Sequence, residues 1–80
     1  MSGYLGRGYA QAVAITPSDV TNFTEGVCRA IYVGGAGNIT AVINGNAILF
    51  TAPPVGTVLQ VEASRVNATG TTATAMVALR

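Results

Sequence analysis

The sequence predicts an all-β domain, a small antiparallel β-sandwich or barrel of jelly-roll-like form built from about six short strands. Short runs of β-branched, aromatic and small apolar residues recur roughly every ten residues. Glycine, proline and asparagine turn signals separate them, and no stretch carries the apolar period of an amphipathic helix. With 80 residues the chain makes one domain. A chain this short hides only about 60% of the surface that its unfolded form exposes, so its core is small.

Residues 1–9, with three glycines, two tyrosines and an arginine in no period, read as an N-terminal arm before a single β domain over 10–80. The first strand is expected in "AQAVAIT", Ala10 to Thr16. Pro17 then forces the residue before it out of helical geometry. "VCRAIYV", Val27 to Val33, is the second, with Val27, Arg29, Ile31 and Val33 on one face and Cys28, Ala30 and Tyr32 on the other.

"NITAVINGNAILFT" is the sharpest local signal. Asn44-Gly45 is the pair that best accepts the positive φ angles of a two-residue hairpin turn. That turn sets Ile43 opposite Asn46, Ala41 opposite Ile48 and Ile39 opposite Phe50. Ile39, Ala41, Ile43, Ile48 and Phe50 are then the expected core face, and Thr40, Val42, Ala47, Leu49 and Thr51 the outer one. "APPVG" breaks the ladder, since neither proline can donate a backbone hydrogen bond. "TVLQVEAS" alternates polar Gln60 and Glu62 with Leu59, Val61 and Ala63, as a strand with one wet face does. A turn over Asn67 to Gly70 leads to the last strand in "TTATAMVALR".

The chemistry in the chain is sparse. Charged residues make up 9% of it and the net charge is +1, with Arg7, Arg29, Arg65 and Arg80 against Asp19, Glu25 and Glu62. This balance offers no field for nucleic acid or an anionic membrane. Apolar runs such as Ala47 to Phe50 fall far short of the ~20 residues of a membrane span. The N-terminus lacks the pattern of a signal peptide, so synthesis in a cytoplasm is expected.

Histidine and lysine are absent, and the three acids are not paired by any spacing. No nucleophile has a base beside it, and no enzyme, cofactor or metal site is predicted. Gly34-Gly35-Ala36-Gly37 follows a strand as a phosphate loop does, but the β-branched run after it cannot supply the helix N-terminus that holds a phosphate, so these glycines are read as a turn. Cys28, alone in an apolar strand, is read as a buried thiol. The Asn-x-Thr sequons at Asn22, Asn38 and Asn67 are read as turn chemistry rather than glycan acceptors. Arg29 has two available roles, pairing with Glu62 across a sheet or reaching a neighbouring subunit.

"AITPSD", "RAIYVGGAGN" and "PPVGTVLQVEASRVNATGTTATAMVAL" resemble the spike base proteins of tailed phages and phage-derived gene transfer agents, over nearly all of Ala14 to Leu79. The most specific parts are "RAIYVGGAG", the Pro54-to-Thr57 turn and "RVNATGTTAT" from Arg65. The resemblance implies a non-enzymatic virion protein on the outer capsid surface, made in a bacterial host. It would be a homo-oligomer that docks on the major capsid protein and anchors a head spike or fibre.

Some small phage proteins of similar look are instead trimeric cement, or decoration, proteins that stabilise contacts between capsomers. Pentamer and trimer both stay open, and a glycan-binding module is a third, thinner reading because tryptophan is absent. Tyr4, Arg7, Tyr9, Arg29, Thr40, Leu49 and Arg80 are the candidates for contacts between subunits. Low charge and a small core both point to stability gained by association.

Overall fold

A computed structural model describes residues 9–80. They form seven strands and no helix: β1 (Ala12–Ala14), β2 (Ala30–Tyr32), β3 (Ile39–Ile43), β4 (Asn46–Phe50), β5 (Val58–Leu59), β6 (Ala63–Val66) and β7 (Val77–Leu79). One antiparallel sheet has the order β1-β7-β2-β5 and the other β4-β3-β6. Ile31 and Ala78 of the first sheet pack with Ile39, Ala41, Ala63 and Val66 of the second, and Cys28, Val33, Ala73 and Met76 complete the core. The architecture is a β-sandwich.

The β3–β4 hairpin has the register expected from Asn44-Gly45: Ile39↔Phe50, Ala41↔Ile48 and Ile43↔Asn46. Asn44 and Gly45 take φ of 51° and 81°, the positive values that a type I′ turn needs. The core face differs from the expectation. Ile39 and Ala41 are buried, and Ile43 and Phe50 pack half-buried against the core, but Ile48 is 43% exposed on the edge strand β4. Val42, assigned to the outer face, is buried instead.

The expected single strand over "TVLQVEAS" is two strands in different sheets. Val61 N–H donates to Leu59 O at 2.9 Å, a tight i to i−2 turn that ends β5. The chain then crosses to the second sheet at Gln60–Glu62. Here a bulge sets Val42 opposite Arg65 but Ile43 opposite Ala63, leaving Ser64 as the extra residue. The bulge shifts the alternation by one, so Ala63 and Val66, three apart, are both buried. In the last run only Val77–Leu79 is strand. Ala75 has φ of 52°, which interrupts the period and lets Ala73 and Met76 both turn inward.

The glycines after β2 have a use that the sequence reading missed. A Cβ on Gly34 would strike the carbonyl of Ala75, one on Gly35 the Thr74 hydroxyl, and one on Gly37 the backbone of Thr72 and Ala73. Two irregular segments therefore lie backbone on backbone. Asn38 O accepts from Thr72 N–H at 2.9 Å and Ala73 N–H at 3.1 Å, and Asn38 N–H donates to Thr72 Oγ1 at 2.8 Å. The glycines turn the chain and admit a neighbour.

Candidate interface and the residues that shape it

The Arg65-to-Gly70 loop is fastened to the loop after β1 through side chains. Arg65 Nε donates to Asn67 Oδ1 at 2.8 Å and its Nη1 to Asn22 Oδ1 at 3.0 Å. Asp19 accepts from Thr69 N–H at 2.9 Å and Thr69 Oγ1–H at 2.7 Å. The three sequon asparagines all have structural work: Asn22 and Asn67 hold Arg65, and Asn38 Oδ1 accepts from Ala52 N–H at 2.9 Å. The signal for the Arg65–Asn67 contact was present in the sequence, since residues two apart in an extended chain share a face. Asn22 and Asp19 are distant in sequence and only folding joins them.

The two hydrogen bonds from Thr69 hold the Asp19 carboxyl below its ordinary value of 3.8, with a smaller contribution from Arg65. A carboxylate depressed in the folded state contributes stability that is complete above pH 3.8 and fades as pH falls through the lowered value. Thermal unfolding followed from pH 6 to pH 2 is therefore expected to show Asp19→Asn converging on the wild type only below about pH 3.8. A constant gap across that range would assign the effect of Asp19 to something other than its charge.

The structure disperses the candidate contact residues. Tyr4 and Arg7 lie outside the described residues. Tyr9 O–H donates to Gln60 Oε1 at 2.9 Å, and the exposed Arg29 guanidinium sits 5.8 Å from the Tyr9 ring centroid, a cation–π contact rather than one to Glu62. Thr40 is half-buried and tied within the chain, its N–H donating to Thr71 Oγ1 at 3.0 Å and its carbonyl accepting from Asn67 N–H. Leu49 is 54% exposed on β4. Arg80 turns toward its own chain: Nη2 donates to Gly26 O at 2.5 Å, the guanidinium lies 5.6 Å from the Phe23 ring centroid, and Nε and Nη1 are buried without a partner among the described residues. Arg29 and Leu49 are thus exposed, Tyr9 is half-buried with its hydroxyl on Gln60, and Thr40 and Arg80 serve their own chain.

Cys28 is a buried, free thiol whose Sγ lies 3.7 Å from Val61 O. An open groove of about 540 Å³ runs between β1 and the loop after it, lined by Val13, Thr16, Phe23, Thr24, Glu25 and Ala78 among others. Among the described residues that line it Glu25 is the one ionisable group, with hydroxyls and methyls around it. Such a lining suits packing better than proton transfer, which needs an acid and a base within reach of one reacting group.

No protein-family model matches the chain, and no curated protein does. Among solved structures it is similar to a chain in "Capsid of native GTA particle computed with C5 symmetry", GTA being gene transfer agent. The TM-score is 0.83 and the identity 32%, over 99% of this chain and 92% of the other. A likeness of that extent in both sequence and backbone means that the chain belongs to the same family as this protein of a gene transfer agent capsid, a family of phage-type virion proteins.

Proposed function

We propose that this protein is a non-enzymatic structural component of a phage or gene transfer agent particle. In this reading it forms a homo-oligomeric base on the outer capsid surface that anchors a head spike or fibre. The observation that carries the reading is the relationship, at 32% identity over 99% of the chain, to a chain of a gene transfer agent capsid. A fivefold vertex calls for a ring of identical subunits, and each subunit then meets its neighbours through two different surfaces.

The composition supports the same reading. With 9% charged residues the chain has little surface designed for water, and exposed Leu49, Ile48, Val55 and Val58 offer apolar contact to other copies or to the shell. Burying about 800 Å² per partner would add the stability that so small a core lacks. Tyr9, Arg29 and Leu49 are the described candidates for those contacts.

The test is the position and stoichiometry of this chain in an intact particle, by electron microscopy and quantitative mass spectrometry. Rings at the fivefold vertices beneath a protruding spike are the expected result. Copies at threefold positions between capsomers would overturn the base in favour of a cement protein. Absence from purified particles would overturn both.

A further inference from the structure

Two sheet edges of the described chain are open and unprotected. In the hairpin, the two-residue turn makes Ile43–Asn46 the first hydrogen-bonded pair. Ala41–Ile48 and Ile39–Phe50 follow, and Ala47 and Leu49 direct their N–H and C=O groups away from β3. On β1, Gln11 and Arg80 exchange two bonds at 2.9 Å, so Val13–Ala78 is the next bonded pair. Ala12 and Ala14 therefore direct their backbone groups outward.

The other edges differ. The loop before β2 covers β6, with Ser18 N–H donating to Val66 O, Phe23 N–H to Ser64 O and Cys28 N–H to Ala63 O. β5 is only two residues long. Edges normally carry a charge, a proline or a bulge that deters pairing, and neither β4 nor β1 contains one.

We propose that β4 of one copy adds to β1 of the next, joining the sheets of two subunits head to tail. Ile48 and Leu49, 43% and 54% exposed, are consecutive and so lie on opposite faces of β4. A partner resting on one face covers one of them, whereas an added strand covers both. β1 complements this. Ala12 and Ala14 are small and exposed, and the groove of about 540 Å³ beside them, with Val13 and Phe23 in its wall, can receive the large side chains of β4.

The occupant is a second copy because both halves of the match lie on one chain. Among the described residues, each edge presents two with free donors and acceptors, and neither edge strand carries a charge that would repel an identical neighbour. Two contacts of about 800 Å² would take a little over a third of the 4483 Å² that the chain exposes, which a ring subunit can supply. A contact between unlike edges closes into a ring where a like-to-like contact stops at a dimer. The inference rests on the reading of the protein as a self-assembling virion component and specifies the surface used.

A mixing experiment tests it. Leu49→Lys blocks β4, and Ala12→Pro removes an outward N–H from β1 without touching a bond to β7. Each variant alone is expected to lose assembly in analytical ultracentrifugation while keeping a wild-type β spectrum. Mixed, they should form a dimer and nothing larger, through the intact β4 of one and the intact β1 of the other. Hydrogen exchange on the wild-type assembly supplies a readout that needs no variant: the amides of Ala12, Ala14, Ala47 and Leu49 should be protected. Wild-type assembly by either variant alone, or fast exchange at those four amides in the assembly, would overturn the edge pairing. Vertex location in the particle would still stand in that event, since it is measured separately.

Discussion

Gly37→Ala is expected to destabilise the isolated domain by about 4 kcal/mol or more, in the exceptional tail of single substitutions. Two costs add. At φ of 142° Gly37 occupies a conformation that side chains rarely adopt, worth about 1–3 kcal/mol. The added Cβ would also press on the backbone of Thr72 and Ala73, whose Cα would be 2.7 Å away, and backbone atoms cannot rotate aside. Relief requires moving the 72–75 segment, which breaks the bonds from Thr72 and Ala73 to Asn38 O. For an 80-residue domain the whole folding free energy is about 4–12 kcal/mol, so much of the chain would unfold. Gly26→Ala is the control, since its φ of 91° is also positive but nothing lies within 4 Å of the new Cβ. Urea midpoints that shift equally for the two variants would show that the close approach of the two segments contributes nothing.

Ile31→Ala is the second large effect, expected to cost about 2–5 kcal/mol by lost burial and the cavity left behind. Ile31 is fully buried in β2, between β7 and β5, and its side chain meets the second sheet at the centre of the sandwich. Collapse around the gap is limited, because hydrogen-bonded neighbours on both sides hold the backbone of β2. The loss should appear as a lower denaturant midpoint with an unchanged slope, since the surface exposed on unfolding stays nearly the same. It should shrink in an assembled particle, where neighbours bind the folded state. Ile48→Ala, on exposed β4, is expected to cost far less in the isolated chain. Equal losses for the two would mean that the core is not centred on Ile31.

Much of the architecture was legible in the sequence because short-range chemistry dictates it. Asn44-Gly45 alone specifies turn type and register, and the observed pairs follow from it. The β-branched run after Gly37 sufficed to exclude a phosphate loop, and apolar neighbours sufficed to bury Cys28. Alternation failed where the backbone departs from regular strand. At the Ser64 bulge and at Ala75 a one-residue shift exchanges the inner and outer faces, and sequence periodicity carries no mark of it.

The candidate contacts were less legible still. Arg29 and Arg80 look alike in the sequence, yet one is exposed and lies over the Tyr9 ring while the other is half-buried and tied to the Gly26 carbonyl. Which of them is free depends on elements that only the folded chain brings together.

By itself, then, the sequence determined the all-β class, the hairpin and its register, and the poverty of ionisable chemistry, because each depends on residue type or on neighbours a few positions apart. The tertiary structure alone decided which strands share a sheet, which edges stay open, and that Asp19 and Asn22 meet the Arg65-to-Gly70 loop. Those outcomes depend on pairings between segments as far apart in the chain as Ala12 and Leu79, whose balance of burial, backbone bonding and chain entropy no local pattern records.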